Sequence, residues 1–275
     1  MAEYINWNGK IIDKNKFYIS PDNRSFRYGD GFFETMKCNQ LQVCLHELHF
    51  DRFFQSMKLL QFTIPPNYTA SYFLQQIQQL LLKNKHLQWS RIRLMIVRGD
   101  GGIFDAENNF ANYVIQTWPL SNYANDLNSA GLCIDVYKDA VKSCDLFSSI
   151  KSNNYLSYLM AAMWAKNNLL NEAILLNATG GVADTTTANL FIVSNGIIKT
   201  PPITEGGING VYRKHLMERC IADSIPFAET PLYEDDLLEA SEIFLTNAVK
   251  GIRWVGSFAG KTNYGNEVAR YLHNK

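Results

Sequence analysis

Three separated groups of residues in this chain have types and spacing that could do chemistry together. The first is Lys151 in Ile150-Lys151-Ser152-Asn153-Asn154-Tyr155, a single lysine among small and polar residues just ahead of an apolar helical pattern. A lysine before a helix is, taken alone, a solvated charge. It is also the side chain that attaches an aldehyde cofactor covalently. The second is Gly206-Gly207-Ile208-Asn209-Gly210, which opens a helix. Glycines let backbone approach a ligand closely, and the N–H groups of Val211 and Tyr212 then lie at the positive end of a helix dipole, a place for an anion. The third is Arg52, on a different predicted helix, able to give a charge-assisted second contact to that anion. A phosphate held in this way, with a lysine and a carboxylate elsewhere, is what pyridoxal 5'-phosphate requires.

Other chemistries find less support. The sequence has no G-x-x-x-x-G-K-[ST] loop, no G-x-S-x-G elbow and no H-E-x-x-H. The five cysteines are odd in number and lack metal-ligand spacing, so scattered thiols of a reducing compartment are expected. His46 and His49 read as a surface pair at a helix start, and Asp235-Asp236 as a solvated one. Lysine plus arginine equals aspartate plus glutamate, so no basic excess exists to neutralise a nucleic-acid backbone or an anionic membrane. No apolar run reaches the roughly 20 residues of a membrane helix, and the first residues lack a basic-then-apolar leader. A cytoplasmic protein without nucleic-acid or membrane partners is expected.

The elements that must position these groups follow from periodicity. Residues 4–18 read as a hairpin around Asn8-Gly9. Gly29 and Gly31 bracket a turn at Asp30, and a strand follows over 32–37, then another over 41–45. Helices are expected over 47–61, carrying Arg52 beside a stripe of Phe50, Phe53, Phe54 and Met57, and from Thr69 to about 85. Strand 91–98 turns Ile92, Leu94 and Ile96 to one side and Arg91, Arg93 and Met95 to the other. A partner strand covers 112–118. The polar stretch 119–129 reads as an interdomain linker between an α+β domain, 1–118, and a second domain, 130–275. The latter holds strands at 132–137, 173–176, 190–193, 197–199, 243–246 and 255–258. Its helices are expected at 155–168, 211–223 and 266–273.

Five motifs, in order along nearly the whole chain, resemble the class IV aminotransferases, which include D-amino-acid and branched-chain aminotransferases and 4-amino-4-deoxychorismate lyase. They are Tyr28-Gly29-Asp30-Gly31-Phe32-Phe33-Glu34-Thr35, Leu48-His49-Phe50-Asp51-Arg52, Lys151 with Asn154-Tyr155, Val182 to Phe191, and Ile208-Asn209-Gly210-Val211-Tyr212-Arg213. The resemblance implies a two-domain fold type IV enzyme, mixed α+β and α/β, with a smaller α+β N-terminal domain and a larger β-barrel-like C-terminal domain with helices. It implies pyridoxal phosphate as cofactor, a small-molecule amino substrate and a homodimer. By matching position it makes Lys151 the Schiff-base lysine and Arg52 a phosphate ligand. Tyr155 would contact the ring oxygen and Asp184 the pyridine nitrogen, with Ile208 on the ring face. Gly210, Val211, Tyr212 and Ala248 would lie at the phosphate. Three positions depart from the family pattern. Asp184 stands where glutamate is usual, Tyr212 where threonine is frequent, and Ala248 where many aminotransferases have threonine.

Within the family, Asn209-Gly210, Arg98-Gly99-Asp100-Gly101-Gly102 and Thr246-Asn247-Ala248 look most like the lyases, as does Thr35, at a position given to proton transfer there. The expected reaction is release of pyruvate from aminodeoxychorismate to leave p-aminobenzoate. The alternative is an amino-acid aminotransferase for branched-chain or D-amino acids. In both, Lys151 acts as general base and Arg98, with Tyr28 and Phe33, meets the substrate.

Overall fold

The computed structural model describes residues 3–122 and 125–275. The chain divides into two compact units. One comprises Met1–Ala124 with Lys151–Asn154, the other Asn125–Ile150 with Tyr155–Lys275. The division falls within the expected linker, of which Tyr123 and Ala124 lie outside the described residues. Lys151–Asn154, expected with the second domain, belongs instead with the first unit. The reason is backbone pairing: the Phe33 N–H donates to the Lys151 carbonyl at 3.0 Å, and the Asn153 N–H to that of Gly31 at 2.9 Å.

The first unit is one sheet covered by helices. In chain order it contains β1 (Tyr4–Trp7), β2 (Lys10–Asp13), α1 (Arg24–Tyr28), β3 (Gly31–Asn39), β4 (Gln42–Val43), α2 (His46–Leu59), α3 (Ala70–Asn84), β5 (Ser90–Arg98) and β6 (Ala111–Pro119). The sheet order is β2-β1-β6-β5-β3-β4, all antiparallel. The strand expected over 41–45 is cut to two residues because Leu45 turns left-handed (φ 52°) to start α2. Strand period sends Phe32, Glu34, Met36 and Cys38 to one face of β3, and Phe33, Thr35 and Lys37 to the other. The first face packs on the helices, where Phe32, Phe50, Phe53 and Phe73 stack edge-on and tilted.

The second unit carries β7 (Leu132–Lys142), α4 (Leu156–Asn167), β8 (Glu172–Asn177), β9 (Val182–Thr185), β10 (Asn189–Ser194), β11 (Ile197–Thr200), α5 (Val211–Ala222), β12 (Phe227–Glu229), α6 (Glu234–Glu239), β13 (Glu242–Asn247), β14 (Gly251–Phe258), β15 (Lys261–Thr262) and α7 (Glu267–Asn274). Its sheet runs β12-β11-β10-β13-β14-β7-β8-β9, with β15 on β14, and curls as a half-barrel. An aliphatic core of Ile134, Ile174, Leu190, Ile192, Leu245 and Val255 fills it. Helix α4 lies on β7 and β8 through Tyr158, Ala161 and Ala165, while Leu156, Leu159 and Met163 are exposed. Small residues, not the large apolar ones, let this helix approach the sheet. Among the described residues no helix is long and apolar enough to cross a membrane.

Candidate active site

In the first unit the expected residues gather around β3. Lys151 is half-buried, and its Nζ lies 4.8 Å from the centre of the Phe33 ring. Thr35 is two residues on, so Phe33 and Thr35 share the face over which this amine sits. Gly31 is required here, since a Cβ would stand 2.2 Å from the Ile96 carbonyl oxygen and 2.6 Å from the Asn153 amide nitrogen. Both amide atoms of Asn153 are buried and lack a hydrogen-bond partner, unusual polar groups right beside Lys151. Tyr28 ends α1 and is 41% exposed, its ring flanked by the Arg24 guanidinium at 5.4 Å.

The reading of Arg98 as a substrate ligand needs correction. Its Nε pairs with Asp30 at 3.0 Å, Nη1 donates to Asn109 and the Gln61 carbonyl, and Nη2 donates to the Leu60 carbonyl at 2.6 Å. It is 7% exposed and stacks over Phe62 at 4.1 Å. This guanidinium closes the end of α2 and is consumed by the fold.

Sequence reasoning passed over a different arginine. Arg93 pairs in register with Thr35 across β3 and β5, and cross-strand partners share a face. Its guanidinium lies 4.0 Å over the Phe33 ring, the ring that also carries the Lys151 amine. The alternation along β5 was the signal, because it turned Arg93 away from the apolar side.

Arg52 sits on α2 in a buried charge cluster with β3. Its Nε donates to Glu34 Oε1 at 2.7 Å and Nη2 to Oε2 at 2.6 Å, while His49 Nδ1 meets Oε2 at 2.7 Å. His49 is fully buried and Glu34 is 1% exposed, so the expectation of a surface histidine pair is wrong for His49. It lies three residues before Arg52, on the same helical face, turned to the sheet. Burial alone would raise the Glu34 pKa. The charge of Arg52 and hydrogen bonds from His49 and Arg52 outweigh it and bring the carboxyl down to about 2. The signal for Glu34 was a lone carboxylate within the apolar run Phe32-Phe33-Glu34-Thr35-Met36.

In the second unit Asp184 is the centre. It is 3% exposed on β9. Its Oδ2 accepts from the Ile208 N–H at 3.0 Å and the Tyr158 hydroxyl at 3.2 Å, and Oδ1 from Asn189 Nδ2 at 3.3 Å. Tyr155 caps α4 and stacks on Tyr158, centroids 4.4 Å apart. The Tyr158 pKa is pushed far up, first by burial and then by the Asp184 charge. Lys142, its Nζ 4.5 Å over the Tyr158 ring, is lowered by burial against the opposing pull of Asp184. Tyr158, Asn189 and Lys142 were not singled out from sequence. Ile208 is buried beside Tyr137, Tyr158 and Leu175, and its carbonyl accepts from Asn189.

Gly210 is the N-cap of α5 and has no side-chain cap, so no side chain of its own meets the first-turn N–H groups of Val211 and Tyr212. A Cβ at Gly210 would stand 1.8 Å from Asn189 Oδ1, so glycine is obligatory there. The half-buried Tyr212 packs edge-on to His215, leaving its backbone N–H as the group that carries over. Ala248 is half-buried in the turn between β13 and β14, where Asn247 Oδ1 accepts from the Val249 and Lys250 N–H groups. Its methyl gives an anion nothing. Two residues earlier, Thr246 Oγ1 is buried without a partner, and Thr246 pairs in register with Asn189.

Each unit separately carries groups of the kind that a phosphorylated pyridine aldehyde requires. The lysine, an uncapped helix N-terminus, a buried carboxylate and orphaned polar atoms at Asn153 and Thr246 are all present. Among the described residues no cluster suits a metal ion.

Comparison with known proteins agrees. A putative branched-chain-amino-acid aminotransferase of Methanocaldococcus jannaschii is 29% identical over 247 residues, 89% of this chain and 84% of that protein. The aminodeoxychorismate lyase of Vibrio harveyi is 26% identical over 248 residues, 90% of this chain and 89% of its own. The branched-chain aminotransferase of Thermoproteus uzoniensis superposes with a TM-score of 0.90 at 23% identity, covering 100% of this chain and 93% of that one. The pattern of "Amino-transferase class IV" matches residues 31–258. This chain belongs to the class IV aminotransferases, a family of pyridoxal-phosphate-dependent enzymes.

Proposed function

We propose that this protein is a pyridoxal-phosphate-dependent lyase that converts 4-amino-4-deoxychorismate to p-aminobenzoate and pyruvate. The observation that carries the reading is Thr35. Its position on β3 puts a hydroxyl on the same face as Phe33, over which the Lys151 amine sits. A transaminase needs one group to lift a proton from one carbon and return it to another. An elimination also needs a proton delivered toward the leaving fragment, and a second acid-base group serves that step. The substrate carries two carboxylates, and Arg93 on that face is suited to bind one of them.

The bound cofactor would supply an electron sink for the carbanion left at the amine-bearing carbon. Lys151 would attach the cofactor and, with its amine free, would take the proton from that carbon. Thr35 relays a proton on its face of β3. Asp184 would hold a proton on the ring nitrogen. Assigned to the phosphate are the Val211 and Tyr212 N–H groups and, in the first unit, the Arg52 guanidinium. Tyr155 and Ile208 orient the ring, and Phe33 borders the amine. The active species is taken as a homodimer, since the apolar Leu156, Leu159 and Met163 are exposed along α4 and a second copy would cover such residues.

A second reading has its own support. The similarity to a putative branched-chain aminotransferase, at 29%, favours amino transfer between amino and 2-oxo acids. Two assays separate the readings. Aminodeoxychorismate should yield p-aminobenzoate, whereas accumulation of pyridoxamine phosphate with L-leucine or D-alanine would establish transamination instead. Purified protein should be yellow and Lys151→Ala colourless; a colourless wild type that takes up no pyridoxal phosphate would remove both readings.

A further inference from the structure

The Glu34–His49–Arg52 cluster does more than neutralise a buried charge. A carboxylate can only accept, so with Glu34 ionised His49 must carry its proton on Nδ1 and donate it. His49 Nε2 is buried and has no hydrogen-bond partner. A buried histidine kept at this cost has a task at its other nitrogen, which is to hold one oxygen of Glu34. Glu34 in turn takes Arg52 by the Nε–Nη2 edge, one oxygen to each nitrogen. Two parallel bonds fix a planar guanidinium where one bond would leave it turning. Its plane fixes the direction of the Nη1 edge. The Arg52 side chain is 11% exposed, against 1% for both Glu34 and His49, so the cluster runs from the core outward to the arginine.

We infer that Glu34 and His49 are positioning residues which orient the Arg52 guanidinium for the phosphate of the cofactor. This rests on the pyridoxal-phosphate reading. A glutamate facing an arginine diminishes its net charge, so long-range attraction for a dianion is weakened. What the pair contributes is direction, and with it preference for a tetrahedral phosphate at one place. Neither residue touches the cofactor in this scheme. Glu34→Gln would replace one acceptor oxygen by an N–H that opposes the guanidinium, and Glu34→Asp would keep the fork but withdraw it by a methylene.

The test compares two ligands that differ only in the phosphate. Equilibrium dialysis of the full-length protein, freed of cofactor, is run with pyridoxal 5'-phosphate and with pyridoxal. Glu34→Gln should raise the dissociation constant for pyridoxal phosphate about 10-fold or more and change that for pyridoxal less than about 2-fold. Glu34→Asp should recover part of the loss, and His49→Phe should show a smaller loss of the same selectivity, about 3-fold. On an Arg52→Met background Glu34→Gln should add nothing further, because Glu34 acts only through that arginine. Equal losses for both ligands, a loss that persists without Arg52, or no loss at all would overturn the inference. Should Glu34→Gln fail to fold by thermal melt, Glu34→Asp and His49→Phe carry the same two-ligand comparison. A wild type with no affinity for pyridoxal phosphate removes the cofactor reading; a wild type that binds it and variants that bind equally well remove this inference alone.

Discussion

Glu34 in the first unit and Asp184 in the second are both buried carboxylates on strands, yet the protein treats them differently. Glu34 has a bidentate guanidinium on its two oxygens and a histidine behind it. Asp184 accepts from a backbone N–H, a tyrosine hydroxyl and an asparagine amide, and it is coupled to the charge of Lys142. An ion pair balances a buried charge inside the protein. Dipoles hold a charge in place without cancelling it, which suits a carboxylate meant to meet a protonated ligand ring. Under the proposed function Glu34 acts through its arginine, whereas Asp184 would face the bound ring itself.

The first way to break that contrast is to neutralise each acid. Glu34→Gln should cost about 3–5 kcal/mol in urea unfolding, because it strands an arginine in the interior. Asp184→Asn should cost about 1–2 kcal/mol, since an amide still accepts from neutral donors. Equal costs would mean that both acids are braces. Acid titration makes the same point for Glu34. Its folded pKa, about 2, lies below its usual 4.5, so its contribution is complete above that value and fades as pH falls toward 2. Its size is of the order of 3 kcal/mol. The stability difference between wild type and Glu34→Gln should therefore shrink between pH 4.5 and 2. A difference that stays constant through that window would show that Glu34 is not ionised by its partners.

Turnover should reverse the ranking. Asp184→Asn should lower kcat about 100-fold or more with the fold retained, because an amide cannot hold the ring nitrogen protonated. Asp184→Glu, restoring the usual family residue, must fit one more methylene between Ile208 and Tyr158, and a melt will show whether that space exists. Asp184→Asn with unchanged kcat would place the proton-holding role elsewhere.

These distinctions were only partly legible in the sequence. The two-residue period of β3 and β5 and the glycine-opened helix α5 were readable because each is a local pattern. Lys151 was legible as a candidate, though not that its segment pairs with β3, since that pairing joins residues more than a hundred apart. The Glu34–His49–Arg52 triangle spans a strand and a helix, and no local period reports which side chains meet across such a gap. Helix α4 shows a second limit of local pattern. Leu156, Leu159 and Met163 form the obvious apolar stripe, but Ala161 and Ala165 make the close contact with the sheet. Periodicity marks an apolar face without saying what covers it.

The smallest predicted effect concerns two arginines on one strand, where the distinction between brace and ligand returns. Arg98 gives its donors to Asp30, Asn109 and two carbonyls at the end of α2. Arg93, five residues earlier, lies over Phe33 on the face that holds Thr35. Odd separation along a strand sends two residues to opposite faces, so only one of them can serve the Lys151 side. Arg98→Gln should lower the melting temperature while KM stays within about 2-fold, since the loss falls on α2 and the Asp30 turn. Arg93→Gln should raise KM about 10-fold, the worth of one charge-assisted contact to a carboxylate. If KM rises for Arg98→Gln instead, the arginine must leave Asp30 and the α2 carbonyls when substrate binds.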